Sequence, residues 1–391
     1  MIDNRNNKWI ENAIIYQILI DRFAGYNPKK DWKKPEFIGG NIKGIIDALP
    51  YLKNLGVTTL WISPFYKTSA YHGYHITDFY EVDPHFGTKR ELKRLIDLTH
   101  QNNMTIIADF VPNHASRHHP FFQEAISEKN SQYKKWFYFT EWPKRYQCFL
   151  SVKELPKLNL KNPETKNHII NAAKYWLSFG LDGYRIDHVI GPSNTFWKIF
   201  SQKIKKEYPK AVLFGEAWMQ GITWKELKTI QIPWKRLKWL QKRPSDTVLH
   251  NYGSFLDGVL DFTAQQLFQH YMFKQNGSEA QLKKSLQKHY KKFPSDFSLP
   301  LFLDNHDMDR VLFQCNNHLN RLKKAAEIQF SIPQPIIIYY GTEQGISQQK
   351  SVWSTSNHGD LLARKPMPWN NTVNNELYDF YRNLIKRRLE N

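Results

Sequence analysis

Apolar residues along the chain fall in short blocks, and longer stretches of helical periodicity separate them. The blocks Ala13–Leu19, Val57–Ser63, Thr105–Val111, Gly183–Val189, Val212–Trp218, Val259–Phe262, Ser298–Leu303 and Pro335–Tyr340 read as strands. Between them, Lys89–Gln101, His168–Phe179, Asn194–Tyr208 and Asn375–Leu389 read as helices. Asn54-Leu55-Gly56 and Phe179-Gly180 carry helix-ending signals. Eight strands joined by helical crossovers predict an α/β fold of the closed (β/α)8 TIM-barrel kind, because a doubly wound open sheet rarely needs so many.

One connection breaks the rhythm. Residues 112–161 lie between the third strand and a helix starting near Pro163; they are rich in aromatics and show no helical regularity. A loop of that length is usually functional or a small inserted domain. The expected organisation is a barrel built from residues 1–111 and 162–391, with a loop-rich subdomain at 112–161 over the barrel mouth. The sequence ends directly after the helix closing at Leu389, so no C-terminal β-domain is expected.

Composition narrows the partners. Hydrophobic residues at 41% and charged residues at 23% describe a globular chain. No apolar run approaches the ~20 residues of a membrane helix, and Met1–Trp9 has no apolar signal-like region. A cytoplasmic protein without membrane contact is expected. Cys148 and Cys315 show no zinc spacing and are expected to be thiols. The net charge of +19 would suit nucleic acid. The lysines are scattered, however, as in Lys203, Lys205 and Lys206, or Lys283, Lys284, Lys288, Lys291 and Lys292. The second set belongs to the solvated face of a helix, and no nucleic-acid-binding motif accompanies it, so nucleic acid is not an expected partner.

In a barrel of this type functional groups collect at the C-terminal ends of strands. Four such ends carry acids: Asp109-Phe110-Val111-Pro112-Asn113-His114, Arg185-Ile186-Asp187-His188, Gly215-Glu216-Ala217-Trp218 and Asp304-Asn305-His306-Asp307. Arg185 and Asp187 are two apart and leave the same face of a strand, so the guanidinium is expected to hold that carboxylate ionised. Glu216 ends the next strand, ~4.8 Å away. Two carboxyls at that offset approach the ~5–5.5 Å of retaining glycosidases, against about 6.5–9.5 Å for inverting ones. Histidines His114 and His118, four apart, lack any second metal-binding cluster, and no metal site is expected.

These segments resemble the four signature regions of the α-amylase family, glycoside hydrolase family 13. Tyr16-Gln17-Ile18, Asp21-Arg22-Phe23, His72-Gly73-Tyr74, Asp83–Thr88 and Lys365–Trp369 are similar to the family's other stretches and stand in its order. The resemblance implies Asp187 as nucleophile, Glu216 as general acid/base and Asp307 as the third carboxylate, which binds sugar hydroxyls and stabilises the transition state. It also implies substrate contacts from Tyr74, His114, Arg185, His188, His306 and Trp218, with Tyr74 stacking beneath the sugar ring. Asp109 is expected to order its strand end. Leu155-Pro156-Lys157-Leu158-Asn159 is similar to a stretch of neopullulanases and cyclomaltodextrinases, which leans the substrate toward maltooligosaccharides, cyclodextrins or pullulan. A 4-α-glucanotransferase with the same triad and an inactive glycan-binding relative are the alternatives.

Two departures bear on metals and shape. Many α-amylases have a Lys-His pair where this chain has Ile190 and Gly191, and Thr342 stands where the family usually has Asp. Asn113 occupies a position that often gives calcium an oxygen, but the carbonyl partner would come from the altered Ile190-Gly191 segment. The turn after Phe23 is basic, with Lys29 and Lys30, and Asn41 replaces a frequent Asp. No cofactor, calcium included, is expected to be required.

Overall fold

A computed structural model describes residues 8–218, 249–354, 358–369 and 375–390; the polar amino-terminal stretch Met1–Trp9 lies mostly outside them. The parallel strands, in chain order, are β1 (Ile14–Ile18), β2 (Thr59–Ile62), β3 (Thr105–Phe110), β4 (Gly183–Ile186), β5 (Val212–Gly215), β6 (Gly258–Val259) and β7 (Ile336–Tyr339). The chain divides into two compact units. One contains Pro64–Pro84 and Ile107–Val259, and the other contains Asn7–Ser63, His85–Ile106 and Leu260–Asn391.

In the first unit β3, β4, β5 and β6 pair in parallel in that order. The β3–β4 register sets Asp109 beside Arg185, and the β4–β5 register sets Arg185 beside Phe214. Side chains two apart share a face of a strand, so Asp109, Arg185, Asp187 and Glu216 converge on one side. The helices Pro163–Ser178 and Asn194–Glu207 come after β3's long connection and after β4. Each starts on a side-chain cap, Asn162 onto Thr165 N and Ser193 onto Phe196 N, and each buries an apolar stripe. Trp176, fully buried, donates its indole N–H to Phe79 O at 2.7 Å and so fastens the first of these helices under the antiparallel hairpin Tyr66–Thr68/Ile76–Val82.

In the second unit β7, β1 and β2 pair in parallel. The helix Lys89–Gln101 opens on a reciprocal capping box between Thr88 and Glu91 and buries Leu92, Leu95, Ile96 and Thr99. The cap contributes about 1 kcal/mol. The helix Asn375–Glu390 buries Leu377, Tyr378, Tyr381, Leu384 and Ile385.

Three expectations are corrected. Ser298–Leu303 forms no strand ladder; it meets its neighbour in an isolated parallel bridge, Leu301 to Ile336, in which Leu301 N donates to Pro335 O and Ile337 N to Leu301 O, both at 2.8 Å. Val259–Phe262 is a strand for two residues only; Asp261 then caps a helix from Phe262, accepting from Ala264 N at 2.9 Å. Residues 112–161 do contain a helix, Pro120–Ser127, which starts on His119 with Pro at its first turn and buries Phe122 and Ala125. Dense aromatics hid its single apolar stripe. The rest of that segment holds the short pairs Phe139–Glu141/Arg145–Tyr146 and Cys148–Phe149/Val152–Pro156. Lys283, Lys284, Lys288, Lys291 and Lys292 are all exposed, as a solvated helix face requires. Among the described residues no helix is long and apolar enough to cross a membrane.

Candidate active site

The first unit gathers one guanidinium and three carboxylates. Arg185 is almost wholly buried at 1% exposure. Its Nη1 donates to Asp109 and, at 3.0 Å, to Asp187 Oδ1; its Nη2 donates to Glu216 Oε1. Burial works against the Arg185 charge, but Asp109, Glu216, the Tyr74 hydroxyl and Asp187 outweigh it and hold the guanidinium well above its ordinary pKa. Asp187 and Glu216 are each 7% exposed, buried except for one opening face. The strand ladder runs on through both, with Asp187 N donating to Phe110 O at 2.8 Å and Glu216 N to Ile186 O at 2.9 Å. The second carboxylate oxygen of Glu216 accepts from His188 N at 3.1 Å.

Asp109 does more than order a strand end. Fully buried, it joins Arg185 on one oxygen and accepts the Tyr74 hydroxyl at 2.9 Å on the other. Tyr74 is thereby fixed by its tip, and its ring is half-buried. Sequence reasoning assigned Asp109 and Tyr74 separately; their bond appears only when the Tyr66–Thr68/Ile76–Val82 hairpin brings Tyr74 to the end of β3.

His114 and His188 lie on either side of Phe149, with ring centroids 4.9 and 4.6 Å from it. Burial, then nearby His75, pushes the His114 imidazole down to about 3, with Lys157 adding to the effect. Burial and Lys157 hold His188 well below its usual range as well. Both rings are therefore neutral at pH 7. The Nε2 of His114 is buried without a side-chain hydrogen-bond partner among the described residues. Trp218 is half-buried at the end of a described segment.

The second unit carries the remaining predicted residues. Gln17 Nε2 donates to His306 Nδ1 at 2.8 Å. That places the ring proton on Nε2, which lies 2.9 Å from Asp307 Oδ2. Arg364 clamps the same turn, giving Nε to His306 O at 2.8 Å and Nη2 to Asp307 Oδ1 at 2.9 Å. Asp307 keeps 29% of its side chain exposed while both its oxygens are oriented. Asp304, by contrast, is structural: its carboxylate accepts from Val311 N and Thr342 Oγ1, and burial pushes it up to about 6. Sequence reasoning missed Gln17 and Arg364 as partners. Both stand in or beside family-like stretches, but nothing local marks which residue they touch.

The corner where calcium would bind in related enzymes does not fit that ion. The Gly191 carbonyl already accepts the ammonium of Lys157 at 3.0 Å. Asn113 Oδ1 adds only a neutral oxygen, and calcium prefers six to eight oxygens with several charged. Among the described residues no group of three or more His, Cys, Asp or Glu is placed to hold a metal.

A parallel α/β scaffold that delivers paired carboxylates to strand ends defines the barrel-glycosidase class of site. Residues 17–380 match the alpha amylase catalytic domain model, and the chain belongs to that family, whose fold is the (β/α)8 barrel. It is 39% identical over 389 residues to alpha-amylase 2 of Dictyoglomus thermophilum, covering 97% of this chain and 63% of that one. It is 31% identical over 403 residues to a cyclomaltodextrinase of a Bacillus species, covering 97% and 66%. This chain thus spans just under two thirds of those relatives' lengths. Among solved structures, the ligand-free cyclic α-maltosyl-(1→6)-maltose hydrolase of Arthrobacter globiformis is similar with a TM-score of 0.83 at 26% identity, covering 98% of this chain and 84% of that one.

Proposed function

We propose that the chain is a retaining α-glucan hydrolase acting on α-1,4-linked maltooligosaccharides, cyclodextrins or pullulan. The observation that carries this reading is one guanidinium, Arg185, shared by Asp187 and Glu216. Sharing a single guanidinium favours the short carboxyl separation of double displacement over the wider gap that an inverting water needs. The carboxylate of Asp187, which accepts from Arg185, attacks the anomeric carbon. Glu216 gives its proton to the departing glycosidic oxygen, and a glycosyl ester forms on Asp187. Glu216, now a carboxylate, takes a proton from water, and that water displaces Asp187 with the α-configuration restored.

Asp307 is assigned to the sugar hydroxyls and the oxocarbenium-like transition state on its motif, with His306 and Arg364 orienting it. By resemblance, His114, neutral and buried, is assigned a hydrogen bond to sugar, with His188 and Trp218 as further contacts. Tyr74 is its stacking platform. The Lys157 ammonium at the Asn113–Gly191 corner supports catalysis without calcium. Cytoplasmic location is proposed as well; the thiols of Cys148 and Cys315, joined by no disulfide, suit a reducing compartment. Incubation with amylose, pullulan, cyclodextrin and maltotriose, with identification of the products, tests the reading. Longer chains from maltotriose would replace it with a 4-α-glucanotransferase, and binding without turnover would replace it with a glycan-binding protein.

A further inference from the structure

Lys157 takes no part in the double displacement, yet it is one of the most buried charges in the first unit, at 3% exposure. A buried ammonium is stable only where well-made hydrogen bonds compensate its lost hydration. The backbone around it is pinned to the end of β3: Ala115 N donates to Pro156 O at 3.1 Å, Leu158 N to Asn113 O at 3.0 Å, and Lys157 N to Gln147 O at 2.9 Å. From this anchored base the side chain crosses to the turn just after Asp187.

That turn is tied at several points, one of them Val189 N donating to Glu216 O at 3.1 Å. Gly191 N donates to His188 O at 3.0 Å and closes it, and His188 sits in the left-handed region at φ 45°. Val189 O is held by the Trp197 indole at 2.8 Å and the Tyr252 hydroxyl at 3.1 Å. Gly191 O is held by Lys157 Nζ at 3.0 Å. A Cβ at Gly191 would lie 2.1 Å from Asn113 Oδ1 and 2.8 Å from His188 Cδ2, so a larger residue there would have to displace those side chains. The product of this arrangement is one aimed donor, His188 N, 3.1 Å from Glu216 Oε2.

We infer that Lys157 is a positioning residue for Glu216: by fixing the Gly191 carbonyl it holds the 188–191 turn, and the turn holds the carboxyl in proton-transfer geometry. The inference rests on Glu216 being the acid/base. Arg185 donates to Oε1 and His188 N to Oε2, so a shift of the turn would move one of the donors that orient the carboxyl plane. The charged and titratable groups around Lys157 are Lys161, His114 and His188, with Arg185 beyond His188. Burial, then Lys161, brings the ammonium down to about 8, and Lys157 in turn helps keep both imidazoles neutral.

The test compares leaving groups. kcat/KM reports steps up to formation of the glycosyl ester, and α-maltosyl fluoride needs little protonation there, whereas maltotriose needs it fully. Wild-type turnover of maltotriose is measured first; its absence on every α-glucan would defeat the reading of Glu216 itself, before any variant is made, and the inference with it. In Lys157→Met, kcat/KM for maltotriose is expected to fall about 10–100-fold, the scale of a small misplacement of a catalytic group. The fluoride should change less than about threefold, and Lys157→Arg, which keeps a cation donor, should recover most of the loss. Equal losses on both substrates, or none, would overturn the inference. Failure of both variants to fold would overturn it too, assigning Lys157 to stability alone.

Discussion

Replacing Glu216 by Gln removes a proton while keeping volume, and the cost depends on the donors around the carboxyl. Both oxygens of Glu216 accept from N–H groups, Arg185 Nη2 on one side and His188 N on the other. A glutamine has one oxygen and one NH2, so one of those donors must face another donor. With the site 7% exposed, leaving a buried donor unsatisfied costs about 1–3 kcal/mol, which a modest fall in Tm would register. The chemical loss is larger. General acid catalysis supplies typically 10²–10⁴-fold, so kcat/KM on maltotriose should drop by about that factor. On α-maltosyl fluoride kcat/KM should hold to within about tenfold, because fluoride leaves with little help. Kinetics on the two substrates and a thermal melt make the assay. Near-normal maltotriose turnover in the folded variant would remove Glu216 as the acid, and an unchanged Tm would refute the argument from its two donors.

Asp187→Asn and Asp307→Asn should each lower kcat by roughly 10³-fold or more while the fold persists; initial rates near wild type in either, with an unchanged circular dichroism spectrum, would strike that residue from the machinery. The first product anomer, tracked by proton NMR, should be α, and initial β-sugar would defeat double displacement. Exhaustive chelation should leave activity and Tm unchanged; a loss with EDTA that calcium specifically restores would show that the Lys157 corner was misjudged. His114 and His119 are each pushed down to about 3 by burial, well under the usual ~6.5. The unfolded chain binds their protons first, so stability is full above about pH 6.5 and is lost as pH falls toward 3. Tm should decline through pH 6 to 4, and His119→Gln should flatten that decline; identical slopes would exclude His119 as a contributor.

Much of this protein is legible in the order of its residues because the governing signals are local. Strand ends such as Arg185-Ile186-Asp187 and Gly215-Glu216 announce their chemistry, since alternation along a strand fixes which side chains share a face. The helices Lys89–Gln101 and Asn194–Glu207 arise from periodicity and caps a few residues apart. The hidden part depends on distant segments meeting. The segment before Asp304 forms a bridge and not a ladder, and only its meeting with Ile336 reveals it. Asp109 reads as a strand-end acid until the β3–β4 register sets it against Arg185 and the preceding hairpin brings Tyr74 to it. Arg364 lies 57 residues past the aspartate it clamps, and Lys157 lies 34 before the carbonyl it holds. A side chain's type is written in the sequence, but the partner of a buried charge is set by which backbones pack around it. There the low dielectric makes each such pairing decisive.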